Sequence, residues 1–385
     1  MTPPPDRSRS RRDVLRVIGA GALGLPLAGC GAGWGGLAPT VDPPPPPLPT
    51  PGPVPVPADA AVEPLPRAAA PAAPPQVRPR ILPPRLPAGG TIGLVAPAGV
   101  LRSAGQVQEA TESLEALGFR VRVGRHALAR FGFLAGTDEQ RARDLMAMFL
   151  DPEIDAIVAM RGGWGAARIL PLLDFDAIAA HPKPLVGYSD VTSLLVAIYA
   201  RTGLVTFHGP VGVSTWSGLT ASSFVQTLVE GRPYALGPET RPGRDQTGVV
   251  NPGVAEGPFV GGNLTVLANL AGTGYLPDFA GHVVFFEEVE EEAYRVDRLL
   301  AQLDLAGAFR SPAGVAFGQC TRCGADGSGW TAERTIRERL SRLSCPAVVG
   351  MPIGHASPVY TLPVGLPARL DAEAGTVEFV GRSVA

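Results

Sequence analysis

The chain has 385 residues, 45% of them hydrophobic, and 33 Lys and Arg face 35 Asp and Glu for a formal net charge of -2. A balance of this kind makes no case for nucleic acid, whose binding needs a concentrated basic face, so no nucleic-acid partner is expected. Cysteine is sparse at four residues, whereas 20 of the 42 prolines fall within residues 31–88.

Residues 1–30 read as an export signal. Arg11-Arg12 precede an apolar stretch from Val17 to Ala28 that is too short for an ordinary membrane span. The arginine pair resembles a twin-arginine signal, and Leu27-Ala28-Gly29-Cys30 resembles a bacterial lipobox with Cys30 as the lipidated residue. Gly31 after that cysteine resembles an outer-membrane rather than an inner-membrane address. The expectation is a lipoprotein on the periplasmic face of a membrane, anchored through Cys30. Residues 31–88, with Pro43 to Pro47 unbroken, form a Pro-rich tether in an extended polyproline path.

The folded part then covers residues 89–385. Thr91–Ala96 reads as a buried strand, Ala104–Leu117 as a helix stopped by Gly118, and Phe119–Val123 as a second strand. Thr137 and Gln140 frame a capping box for a helix through Phe149. Ile154–Met160 reads as a strand, apolar throughout but for Asp155, as in a sheet covered on both faces. A helix over Ala166–Leu172, a strand over Lys183–Val186, a helix over Val191–Arg201 and a strand at Val205 follow. This alternation predicts an open α/β domain over 89–223. Residues 224–260 lack a regular pattern and read as an interdomain linker. In 261–385, Gly261-Gly262-Asn263-Leu264 opens a helix to Ala271. Strands are predicted at Val283–Phe286, Val315–Gly318 and Ala347–Val349, helices over Tyr294–Leu305 and Thr331–Leu343, and a terminal hairpin over Arg369–Val380.

Ser189 lies where a strand turns sharply into a helix, with Gly187 providing the bend, so its hydroxyl is pushed out of the sheet beside helix N–H groups. A serine nucleophile needs a base. Of five histidines, His126 and His181 read as solvent-facing, His208 and His282 stay open, and His355 sits on a loop at a strand end. Glu287 ends a strand as a candidate orienting acid, while Glu288 alternates to the other face. Glu290 to Glu292 read as a solvated acidic loop, with a weak hard-cation site as the alternative. Arg161-Gly162-Gly163-Trp164-Gly165 lacks the endings of a phosphate loop, and its backbone can supply an oxyanion donor together with the Asp190 amide. Cys320-Thr321-Arg322-Cys323 lacks the second pair of a zinc site. One disulfide with a free thiol, or three buried thiols including Cys345, is expected. No metal and no cofactor are expected.

These motifs resemble the L,D-carboxypeptidase family, the serine peptidases that also include the microcin-immunity hydrolases. The likeness covers about residues 90–380. It rests on Arg161 to Arg168, Gly187 to Asp190, Gly261 to Leu264, Phe286-Glu287-Glu288 with Tyr294 to Arg298, and Gly350 to His355. It implies an α/β fold class, with an N-terminal open α/β domain holding the nucleophile and a C-terminal mainly β domain with flanking helices holding acid and base. It further implies Ser189, Glu287 and His355 as catalytic residues, the amides of Gly163 and Asp190 as oxyanion hole, and a homodimer. Arg161, Gly162, Trp164 and Asn263 are the candidates for substrate contact. The implied activity is release of the terminal D-alanine from a murein tetrapeptide through an acyl-enzyme, with a murein peptide as partner. The alternatives are hydrolysis of a peptide–nucleotide or related acyl conjugate, with Trp164 stacking on the base, and a non-catalytic muropeptide-binding lipoprotein. Export sets the chain apart from the family's cytoplasmic recycling members and favours periplasmic trimming.

Overall fold

A computed structural model describes residues 78–216, 218–237, 240, 248–325, 327 and 329–385. The expected export signal, Cys30 and the tether up to residue 77 lie outside the described residues. Residues 78–88, expected to close the tether, belong to the folded body. Ile81 exchanges backbone hydrogen bonds with Gly203 and Val205, and Leu86 is fully buried and bonded to Leu228. Two bulky aliphatic residues set among prolines suffice to dock the segment.

A six-stranded sheet contains β1 (Thr91–Val95), β2 (Arg120–Val123), β3 (Ala156–Ala159), β4 (Leu185–Gly187) and β5 (Thr206–His208), all parallel. The sixth strand, β11 (Leu362–Val364), returns from near the C-terminus to run antiparallel to β5, giving the order β11-β5-β4-β3-β1-β2. Every residue of β1, β3, β4 and β5 is buried, as the mostly apolar runs of β1, β3 and β4 predict for a sheet covered on both faces. Helices α1 (Gly105–Ala116), α2 (Asp138–Leu150), α3 (Phe175–Ala180) and α4 (Thr192–Thr202) connect them. The Thr137/Gln140 capping box opens α2 as expected. Segment Ala166–Leu172 is a 3-10 helix rather than an α-helix, and it contains Pro171, which lacks the N–H of a continuing helix.

The second sheet has seven strands. Parallel β7 (Val254–Asn263), β8 (Val283–Val289), β9 (Gly314–Thr321) and β10 (Ala347–Val349) are flanked by antiparallel β6 (Gly248–Asn251), β12 (Pro367–Asp371) and β13 (Thr376–Phe379). Helices α6 (Leu264–Leu270), α7 (Ala293–Leu305) and α8 (Ala332–Ser341) pack against it. The architecture is therefore an N-terminal α/β part with a C-terminal, mostly β part and flanking helices. The expected linker 224–260 instead carries the end of α5 (Gly218–Leu228), all of β6 and most of β7. Gly257, Pro258, Gly261 and Gly262 hide the ten-residue β7 from pattern reading, and pairing with β8 and β12 on either side overrides that local weakness.

One hydrophobic core joins the two parts, with Leu194, Leu195 and Ile198 of α4 in the same cluster as Phe259 and Phe285 of the second sheet. The Asn263 N–H donates to Thr192 Oγ1 (3.1 Å) across the same junction.

Candidate active site

Strand β4 delivers the chain to Ser189, whose own backbone turns the corner: its φ is 62°, in the left-handed region. Holding a non-glycine residue there costs roughly 1–2 kcal/mol. Gly187 lets the chain turn with no side chain in the way, since a Cβ there would approach Val191 Cγ1 to 2.7 Å. A 3-10 turn over Ser189–Val191 then leads into α4.

The glycine loop after β3 lies directly over this corner. A Cβ on Gly162 would fall 2.7 Å from Ser189 Cβ, 2.9 Å from its Oγ and 3.2 Å from the Asp190 amide nitrogen. Two buried groups fix the loop. The Asp190 carboxylate accepts the Ala166 N–H (2.7 Å). Burial raises the Asp190 pKa, partly offset by that hydrogen bond and the charge of Arg141. Arg141, 1% exposed, donates to the carbonyls of Pro97 (2.5 Å) and Gly165 (2.7 Å) and pairs with Asp138.

Glu287 is fully buried on β8, opposite Asn263 of β7, where the β8–β9 register slips between Phe286 and Glu288. The extra residue lies on β9, between Phe317 and Cys320, so β8 itself keeps its alternation at Glu287. Glu287 Oε2 lies 2.7 Å from His355 Nδ1. With Nδ1–H donating to the carboxylate, Nε2 is the nitrogen left to exchange a proton with a serine hydroxyl. The loop bearing His355 is seated on β9: Gln319 N–H donates to Ile353 O (2.7 Å), and a Cβ on Gly318 would strike that carbonyl oxygen at 2.3 Å. Burial disfavours the His355 imidazolium, but the hydrogen bond and charge of Glu287, helped by Glu288, outweigh it, with Arg322 opposing. The net result is a pKa above the ordinary histidine value.

Ser189 and His355 line one cavity of about 310 Å³ with Arg102, Gln106, Arg161, Gly162, Gly163, Tyr188, Val211 and Val213. Two guanidinium groups and no carboxylate stand on this lining among the described residues. Arg161 also donates to Val100 O (2.9 Å), so it braces the loop while facing the cavity. Trp164 is 48% exposed and lies outside the lining. Asn263 is buried and also stands outside it. Its Nδ2 donates to Glu288 Oε1 (2.9 Å) while its Oδ1 caps α6 at the Val266 N–H (3.2 Å). That carboxamide is committed to structure.

The remaining candidates divide cleanly. Glu288 accepts from Asn263, Thr265 and Val289. Glu290 pairs with Arg322 on the surface, and Glu291 and Glu292 lie near Arg295. Cys320 and Cys323 form a disulfide and Cys345 is a free thiol. Among the described residues no group of three or more His, Cys, Asp or Glu is arranged to hold a metal. His126, expected to face solvent, instead pairs with Asp144 (2.7 Å), its ring mostly covered. Sequence reasoning missed Arg141, Tyr188, Arg102 and the carboxylate of Asp190. None of them carries a local signal, because their roles arise from segments meeting in space.

Two family descriptions match the chain: the LD-carboxypeptidase N-terminal domain over residues 92–209 and the LD-carboxypeptidase C-terminal domain over residues 256–370. The chain belongs to the LD-carboxypeptidase family. It is 36% identical to the murein tetrapeptide carboxypeptidase of Pseudomonas aeruginosa over 299 residues, which is 74% of this chain and 94% of the relative. Its fold is similar to the microcin C7 self-immunity protein in complex with aspartyl sulfamoyl adenosine (TM-score 0.72, 26% identity, 79% of this chain and 100% of that one). It is similar too to the muramoyltetrapeptide carboxypeptidase of Oxalobacter formigenes (TM-score 0.68, 31% identity, 77% and 100%). The protein is thus a serine hydrolase of this family, one whose members act on peptide–acyl conjugates. The expectation of no nucleic-acid partner is corrected by these relatives. The microcin immunity protein is also known in complex with glutamyl sulfamoyl guanosine and adenosine monophosphate, so nucleoside-bearing ligands belong to the family's range. Overall charge was the wrong test, because a nucleoside conjugate needs a local site rather than a basic face.

Proposed function

We propose that the protein cleaves the acyl bond of an aminoacyl or peptidyl conjugate whose leaving part is anionic, with peptide–nucleotide conjugates as the leading substrate class. The observation that carries this reading is the cavity itself. Ser189 and the Glu287-paired His355 share it with Arg102 and Arg161, and no acid on its lining opposes them. Ser189 Oγ attacks the carbonyl carbon as His355 takes its proton. The same imidazole returns the proton to the departing group, and water then repeats the sequence to free the acyl product. The Gly163 and Asp190 amides are the proposed donors to the oxyanion. Trp164, exposed beside Gly163, offers a face on which a base can stack.

A second reading is removal of the terminal D-alanine of a murein tetrapeptide. The likeness to the Pseudomonas enzyme favours it, and a free C-terminal carboxylate suits the same two arginines. Incubation of the protein with aspartyl sulfamoyl adenosine and, separately, with the tetrapeptide, followed by mass spectrometry, decides between them. Cleavage of the conjugate with an intact tetrapeptide is expected. The reverse pattern transfers the protein to the second reading, and cleavage of neither by folded protein refutes both.

A further inference from the structure

His208 is the last residue of β5, held between Gly187 of β4 and Leu362 of β11, one strand away from the nucleophile corner. It is fully buried, and neither ring nitrogen has a hydrogen-bond partner. A buried polar ring with nothing to bond is uncommon and calls for a specific reason. The Tyr188 ring stands 6.0 Å from it and the Phe285 ring 5.4 Å. Tyr188 in turn lies 4.9 Å from His355. Phe285 and Glu287 are two residues apart on β8 and so face the same side of the strand. The carboxylate of Glu287 presents one oxygen to His355, and its other oxygen, Oε1, is likewise buried without a partner. Two unsatisfied groups of complementary chemistry therefore lie on one side of the triad, and the charge of Glu287 reaches the His208 ring. Burial pushes the His208 pKa down to about 4, which keeps the ring neutral with one N–H donor.

We propose that His208 is a positioning residue: its neutral imidazole donates a hydrogen bond through one water to Glu287 Oε1, and so fixes the carboxylate plane that orients His355. The proton on His208 stays where it is throughout turnover. Only the His355 proton moves. A ring that merely filled space between Tyr188 and Phe285 would need no nitrogen, and phenylalanine would serve as well.

That contrast supplies the test, made on the full chain. His208→Phe keeps the packing and removes the donor, whereas His208→Gln keeps a donor. His208→Phe should lower kcat at least tenfold with KM within about twofold, and His208→Gln should recover most of the loss. The ionisation of His355, followed by nitrogen NMR of labelled histidine, needs no substrate, so its outcome stands apart from the question of which conjugate is cleaved. The groups facing His355 are Glu287, Glu288, Arg322, Tyr188 and His208. Without the donor, the charge of Glu287 rests more fully on Oε2, and the His355 pKa should rise by about half a unit or more in His208→Phe. Wild-type kcat with an unmoved or lowered His355 pKa overturns the proposal. Should His208→Phe fail to fold, His208→Gln decides alone: a folded variant within about fivefold of wild-type kcat supports the role, and a folded inactive one overturns it.

Discussion

Replacing Glu287 by Gln removes one charge from the interior while preserving the volume of a fully buried side chain. The carboxylate makes a single 2.7 Å hydrogen bond to His355 Nδ1, and that bond with its charge is what lifts the imidazole pKa against the effect of burial. An amide there either donates to Nδ1, forcing the tautomer that cannot accept the serine proton, or accepts without charge. The loss of kcat should be about 10³- to 10⁴-fold, which is roughly 4–5.5 kcal/mol in the barrier. KM should hardly change, since Glu287 is not on the cavity lining.

The pH dependence carries a second signature with a definite sign. His355 must be neutral to accept a proton, so wild-type kcat/KM falls as pH drops through its raised pKa. In Glu287→Gln burial acts with less opposition, and this acid limb moves to lower pH. Stability follows the opposite course. A histidine whose folded pKa exceeds its unfolded one stabilises fully below the unfolded value and loses that contribution as pH rises through the folded one. The stability deficit of the variant should therefore be larger below about pH 6 than above about pH 8. Steady-state kinetics across pH and urea denaturation at the two extremes measure both. A loss of activity under tenfold, or an acid limb that stays in place, refutes the assignment of Glu287 as the group that orients His355.

Gly162→Ala places a Cβ 2.7 Å from Ser189 Cβ, against a corner already strained, so kcat should fall at least about a hundredfold while the melting temperature moves by only a few degrees. Retained turnover would mean that the loop yields. Arg141→Met strips the carbonyls of Pro97 and Gly165 of their buried donor and leaves Asp138 with only Arg168, for an expected loss of about 3 kcal/mol in urea unfolding. A loss below about 1 kcal/mol contradicts its bracing role. Asn251→Ala frees the three carbonyls of Leu340, Leu343 and Cys345 that its Nδ2 now serves. The expected cost is about 1–2 kcal/mol with kcat unchanged, and a drop in turnover would show that β6 and α8 communicate with the site.

What could be read from the chain beforehand divides along a physical line. Apolar runs such as Ala156–Met160 and the Thr137/Gln140 box are local signals, and the structure puts a strand and a capped helix there. The helix expected over Ala166–Leu172 is present as a 3-10 helix, a form favoured by Pro171, whose missing N–H cannot continue an α-helix. Strand β7 went unread because its glycines and proline are used for close approach between neighbours, which a one-dimensional pattern cannot express. Ser189, Glu287 and His355 stood out because each follows or ends an apolar strand. Arg141 did not, and His208 stayed open without a role, since an arginine in a helix and a histidine in a strand look ordinary until burial is known. Asn263 illustrates the converse, a residue singled out by its motif whose side chain is occupied in capping α6 and holding Glu288.

The placement of His355 shows why the two sheets cannot be treated as independent parts. The chain leaves the second sheet at Val349, crosses as a loop over Gly318, and enters the first sheet at Leu362 beside His208. His355 therefore rides on a bridge pinned at both ends: on one side by β10 and β9, on the other by β5, the neighbour of the strand that leads to Ser189. Ser189 is fixed by the first sheet and Glu287 by the second, so the distance between alcohol and carboxylate is set by how the sheets pack. The bridge lets the imidazole follow both. A change that separates β11 from β5 should thus misplace His355 relative to Ser189 before it disturbs the 2.7 Å contact with Glu287, because the loop before His355 stays seated on β9, in the sheet that also holds Glu287.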